Sequence, residues 1–252
     1  MSDIFAPAVS DQADDRTAAA GAAPRAGSRT GARPDAEPDR DSRATVERRI
    51  PRWMLRFAGA ALAAYPVLFG AGMLFSPQQT EEGEAGYIAS LAADPAVSLL
   101  SANLLHYSWV ALALGVVGLI ALVGRRGRAW VAVTSVLVAF GAVQMSGLLL
   151  SDWFLAAAGN VLSPEQALTL DAAAKEGSVV VWLITAQLFT LVGIPVLTLG
   201  LARARVVSWW IAPLPFLAFV VPMFNLGPIA AIAFVPLMAP VIVAGAKLMR
   251  QR

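Results

Sequence analysis

The chain has no cysteine, one histidine and only two lysines, Lys175 and Lys247, so arginine supplies 17 of its 19 basic residues. Without a thiol there is no disulfide, thiolate metal site, iron–sulfur cluster or cysteine nucleophile. A single imidazole, His106, excludes a haem held by two histidines of one chain. No Gly-rich phosphate loop, HExxH, nucleophile elbow or intramembrane serine–lysine pair occurs. The usual nucleotide, metalloprotease, hydrolase and intramembrane-protease templates therefore fail. Charge is scarcest where the chain is most apolar: from Phe57 to Ala246, nearly every Lys, Arg, Asp and Glu falls between long hydrophobic runs. This disfavours an ion-coupled transporter or proton pump, which needs ionisable groups at membrane depth, and leaves a neutral-solute facilitator open.

What is present is apolar surface. The 252 residues are 58% hydrophobic with a mean hydropathy of +0.65, against about 45–50% apolar in a soluble domain. A helical crossing needs about 20 mostly apolar residues, and runs of this kind lie at 57–75, 104–123, 129–150, 178–200, 209–224 and 229–246. The fold class expected is all-α: a polytopic bundle of six transmembrane helices, with short helices in the outer loops and a disordered N-terminal tail. Residues 1–47 are rich in Ala, Asp, Arg, Gly and Pro with no apolar period, so they cannot offset the entropy of folding and form the cytoplasmic tail. Residues 48–252 form the bundle. The tail is too long and acidic for a secretory leader, and Phe75-Ser76-Pro77 is no cleavage site, so the first run stays as a span. Initiation nearer Met54 would remove the tail.

Arginines fix the orientation. Arg48, Arg49, Arg52 and Arg56 precede the first run, Arg125, Arg126 and Arg128 join the second to the third, and Arg203 and Arg205 join the fourth to the fifth. Lys247, Arg250 and Arg252 follow the sixth. The alternate loops hold Glu81, Glu82, Glu84, Asp94, Asp152, Glu165, Asp171 and Glu176 against Lys175 alone. By the positive-inside rule both termini are cytoplasmic, in the inner membrane of a bacterium, whose GC-rich genome the Arg-rich, Lys-poor usage suggests. The basic residues flank spans rather than forming one stripe, so nucleic acid is not an expected partner. Trp53, Trp109, Trp130, Trp153, Trp209 and Trp210 lie near run ends, as interfacial anchors do.

Ser163-Pro164-Glu165-Gln166 has the residues of a capping box and predicts a short outer helix from 164 to about 175. Ser76-Pro77-Gln78-Gln79 repeats those residues after the first run, a trace compatible with a duplicated hairpin. Pro213, Pro215, Pro222, Pro228, Pro236 and Pro240 punctuate the last two runs and predict kinks. Asn225-Leu226-Gly227-Pro228 predicts a tight turn between them. Because 209–224 is short for a crossing, a re-entrant hairpin is the alternative there.

Candidate chemistry is sparse. His106, near the outer end of the second run, could relay protons or ligate a metal with Asp94 or Asp152. The blander role, an interfacial aromatic with its polar tip among headgroups, is the commoner one away from membrane depth. Asp152 reads as a solvated outer carboxylate. Gln144, Gln187 and Thr185 are the intramembrane polar residues, able to line a path but more commonly joined in interhelical hydrogen bonds. Ala60-xxx-Ala64 and Ala111-xxx-Gly115-xx-Gly118 read as packing stripes. No cofactor is expected.

The Arg-rich start, the Ser-Pro after the first span, the acidic loop with Gly86-Tyr87-Ile88 and the Gly124-Arg125-Arg126 end of the second span resemble the uncharacterised six-span membrane proteins common in actinobacteria. The resemblance implies the bundle and no activity. The leading expectation is a non-enzymatic structural or accessory subunit, or a permease-like bundle, partnered by the lipid bilayer and by a second copy or another membrane protein. Alternatives are an outer-face enzyme or metal-dependent factor using His106, and a sensor whose tail binds a partner.

Overall fold

The computed structural model describes residues 50–251 apart from Thr80, Arg126, Asn225 and Leu226. The 1–47 tail and half of the predicted Asn225–Pro228 turn lie outside the described residues. Those residues form helices α1 (Arg52–Phe75), α2 (Gly83–Ala93), α3 (Pro95–Val116, extended as a 3₁₀ turn to Leu122), α4 (Arg128–Leu148), α5 (Leu150–Val161) and α6 (Pro164–Ala174). There follow α7 (Ser178–Gln187), α8 (Gly193–Arg203), α9 (Leu214–Val220), α10 (Pro228–Leu237) and α11 (Ala239–Met249), with no strand among the described residues.

Four helices are long and apolar enough to cross a membrane: Arg52–Phe75, Pro95–Leu122, Arg128–Val161 and Ser178–Arg203. Helices α10 and α11, meeting at 44°, make a fifth if counted as one broken span. Proline explains the bend: Pro236 and Pro240 lack the N–H that would continue the ladder through Met238. Pro195 acts similarly between α7 and α8, where residues 188–192 open into a π turn.

The run at 209–224 is not one helix. It consists of turns, the seven-residue α9 and a 3₁₀ turn at Val221–Phe224, as Pro213, Pro215 and Pro222 require.

Helix α1 lies at the centre. A Cβ on Gly59 would come within 2.5 Å of the Gly245 carbonyl, and one on Gly115 within 2.5 Å of Leu62. The glycines thus let α11 and α3 approach α1 closely on two sides. The seam on α1 runs through buried Ala58 and Gly59, whereas Ala60 is exposed, so the Ala60-xxx-Ala64 stripe is displaced from the contact by one residue. Tyr65, Phe69, Trp109, Phe219 and Phe234 pack as an aromatic cluster in the middle, Phe69 and Phe234 stacked at 4.2 Å. Trp109 belongs to this core at 2% exposure and is no interfacial anchor, unlike Trp53, Trp130, Trp209 and Trp210, which are exposed.

Charges separate to the two ends. At one, Lys247 Nζ donates to the Val206 carbonyl at 2.6 Å and Gln251 Nε2 to that of Ala121 at 3.1 Å. This arginine end gathers the starts of α1 and α4 and the ends of α8 and α11. At the carboxylate end, helices of about 45 and 51 Å, from 28 and 34 residues, outrun a hydrocarbon layer of about 30 Å. The excess, mainly α5, packs with α2 and α6 into a ledge whose own core comprises Ile88, Leu91, Leu155, Ala156, Ala158 and Ala167. The capping box forms at α6: the Gln166 N–H reaches Ser163 Oγ at 3.4 Å and the Ser163 N–H reaches Gln166 Oε1 at 3.1 Å. Ser76-Pro77 instead ends α1, and α2 begins only at Gly83. Ser208 lines a cavity with Lys247, and Gly227 lines one with Gln78, so the 208–227 segment leads from the arginine end to the carboxylate end.

Candidate functional site

His106 is paired. It projects from α3 to meet Ser146 on α4, with Nδ1 2.8 Å from Ser146 Oγ and 3.3 Å from the Ser146 carbonyl. With Nδ1 bare the hydroxyl donates to the ring; with Nδ1 protonated the ring donates to the hydroxyl or the carbonyl. Tyr107 stands edge-on to the imidazole at 5.0 Å and Trp153 lies at 6.3 Å. Ser146 is buried and His106 half-buried, so the imidazole bridges two helices as well as facing its aromatic neighbours.

Asp152 and Asp94 are engaged elsewhere. Tyr87 on α2 donates its hydroxyl to Asp152 Oδ1 on α5 at 2.7 Å, and Asp152 is half-buried rather than freely solvated. Burial foremost, and the Asp152 carboxylate beside it, push the Tyr87 phenol well above its usual range. Asp94 caps α3 by accepting the Val97 N–H at 3.2 Å. Twelve residues of one helix separate it from His106, about 18 Å along the axis. The three residues are thus not brought into one site, and among the described residues no group of three His, Asp or Glu side chains could hold a metal ion.

A second polar group ties the ledge. Lys175 reaches Asp171 at 2.7 Å and Glu84 at 2.9 Å, joining α6 to α2. Burial works against the Lys175 ammonium, but its hydrogen bonds and attraction to Asp171 and Glu84 outweigh it and hold the group above the usual lysine range. Sequence reasoning noticed Lys175 only as an exception to the charge pattern and left Tyr87 without a role.

Of the intramembrane polar residues, Gln144 Nε2 donates to Thr185 Oγ1 at 3.0 Å, joining α4 to α7. Gln187, two residues on, is exposed on the far side of α7 and outside this pair. Thr198, which the sequence did not single out, donates to the Ala212 carbonyl at 2.8 Å and fastens the turn after α8 to that helix.

No protein-family model, curated protein or solved structure matches this chain. Its chemistry rests on its own geometry. A hydroxyl–imidazole pair can serve as nucleophile and base, but catalysis also needs a group orienting the imidazole and donors for a developing oxyanion. No carboxylate hydrogen-bonds His106 among the described residues: the ring bonds Ser146, and the outer Asp152 bonds Tyr87. Ser146 lies inside α4, where backbone N–H groups are spent on the helix. The pair fits better as an interhelical tie, worth about 0.6 kcal/mol on average inside membranes.

Proposed function

We propose that the chain is a non-enzymatic, six-crossing bundle of a bacterial inner membrane, with both termini cytoplasmic, acting as a structural or accessory subunit. The observation that carries this reading is the aromatic cluster of Tyr65, Phe69, Trp109, Phe219 and Phe234, which fills the middle where a solute path would run. The polar candidates support it, because His106, Ser146, Gln144 and Thr185 are used to join helices. Six crossings are supported by the reach of 209–224 from the arginine end to Gln78. The ledge of α2, α5 and α6 is then a periplasmic surface for a membrane-protein partner or a second copy.

The test is solute flux. Proteoliposomes given a glycerol or urea gradient should shrink and reswell at the rate of empty liposomes in stopped-flow light scattering. Faster reswelling that depends on the protein would replace this reading with a permease.

The Ser146–His106 distance favours one second reading, an outer-face hydrolytic enzyme. A fluorophosphonate probe should leave Ser146 unmodified under the first reading; labelling that disappears in Ser146→Ala would establish the second.

A further inference from the structure

We propose that the arginine end holds a binding site for an anionic phospholipid headgroup, in the cavity between the 205–211 segment and the end of α11. The cavity, about 520 Å³, is lined by Arg205, Ser208, Trp209, Trp210, Val243 and Lys247 among others. It exceeds the volume of a phosphate ion and leaves room for the glycerol that a lipid headgroup carries. Two cations flank it. Lys247 spends one N–H on the Val206 carbonyl at 2.6 Å, leaving two for a ligand.

Arg205 stands in an unusual backbone position. The Val206 N–H bonds the Leu201 carbonyl at 2.8 Å and the Arg205 N–H that of Ala202 at 2.9 Å, which closes α8 in a Schellman motif. The residue at its turn adopts φ 62°, the one positive φ outside glycine among the described residues. Glycine fits that place without strain. An arginine held there spends backbone energy to stand in the lining of the cavity, and strain of this sort gathers at binding sites. A phosphodiester suits it, since a guanidinium grips two phosphate oxygens at once.

The indoles identify the source of the phosphate. Trp209 and Trp210 are 60% and 90% exposed beside the cavity, and adjacent exposed tryptophans mark the level of lipid headgroups. The described carboxylates all lie at the opposite end, on and around α2, α5 and α6, so the described charges lining the cavity are cations, and basic pockets at this depth take anionic headgroups. Placing the site in the cytoplasmic leaflet rests on the orientation proposed above. The site itself does not.

The experiment uses the full chain in a neutral detergent, with its unfolding midpoint followed as phosphatidylglycerol, phosphatidylcholine or inorganic phosphate is added. Phosphatidylglycerol should raise the midpoint, and the other two should leave it nearly unchanged. Arg205→Gly relieves the left-handed backbone, so it should fold without lipid, yet it should lose a large part of the lipid-induced rise. Combining it with Lys247→Met should abolish the rise, while Arg250→Gln, which removes a charge outside the cavity, should keep it. An equal rise with phosphatidylcholine would overturn the proposal, as would equal losses from Arg250→Gln and from the double variant, which would indicate diffuse surface charge. A full rise with inorganic phosphate alone would make the site one for a free anion. The assay needs neither sidedness nor solute flux, so its failure and that of the functional reading are separable.

Discussion

At the residue scale, the chain's one imidazole decides between chemistry and architecture. His106 and Ser146 share hydrogen bonds of 2.8 and 3.3 Å across two helices. If they only join helices, His106→Ala and Ser146→Ala should each lower unfolding free energy in an SDS titration by about 1 kcal/mol, with a coupling between them near 0.6 kcal/mol. A coupling near zero would mean that the contact contributes nothing as a tie. This pairing was legible in principle. Antiparallel neighbours joined by a short arginine loop bring equal depths together, and His106 and Ser146 lie two and four residues from the same ends of the 104–123 and 129–150 runs. Spacing alone does not rotate both side chains to face one another, however. Tyr87 was less legible still, since its partner Asp152 lies 65 residues away on a helix that packs beside α2 only when the ledge forms.

At the element scale, the apolar runs identified the long helices, but their register escaped the pattern. Small residues occupy α1 on several sides at once, Ala58, Gly59, Ala60, Ala61, Ala63 and Ala64, so composition could not choose the face that packs. The structure chooses Gly59, where an added Cβ meets the Gly245 carbonyl at 2.5 Å and Met249 Cγ at 2.7 Å. Gly59→Ala should therefore cost about 1–3 kcal/mol, whereas Ala60→Leu on the exposed side should stay within about 0.5 kcal/mol. The reverse order in an SDS titration would put the seam at Ala60. The ledge carries its own test. Tyr87 and Lys175 both hold their protons more tightly folded than unfolded. Each contribution is complete below the unfolded pKa, about 10, and is lost as pH rises through the folded one. Thermal stability should decline once pH exceeds about 10, and less steeply in Tyr87→Phe. An equally steep decline in that variant would separate Tyr87 from the effect.

At the scale of the whole molecule, every element bears on one question, how often the chain crosses. Length and apolarity mark four helices and one bent pair, and 209–224 escapes that measure because its prolines divide it. A break in the helix does not by itself bring a segment back to the side it entered from. Gly227 comes to lie so that a Cβ on it would be 3.9 Å from Gln78 Nε2, past the end of α1. The absence of native cysteine makes single-cysteine labelling clean, and the structure selects the positions. Ala167 is buried in the core of the ledge, and Gly227 has φ 53°, which resists a side chain, so Ala85, Ala173 and Phe224, all exposed, are the better probes of the carboxylate end. Gly124, with open space where a Cβ would stand, probes the arginine end. In intact spheroplasts an impermeant thiol reagent should modify cysteines at Ala85, Ala173 and Phe224, and reach one at Gly124 only after permeabilisation. Reaction at Gly124 alone would invert the molecule. If the Ala85 and Ala173 probes react from outside but the Phe224 probe only from the cytoplasm, the proline-rich pair turns back within the bilayer. The middle of the bundle would then hold a mobile element open to the cytoplasm, and the aromatic cluster, two of whose rings come from that pair, would be a gate instead of a plug.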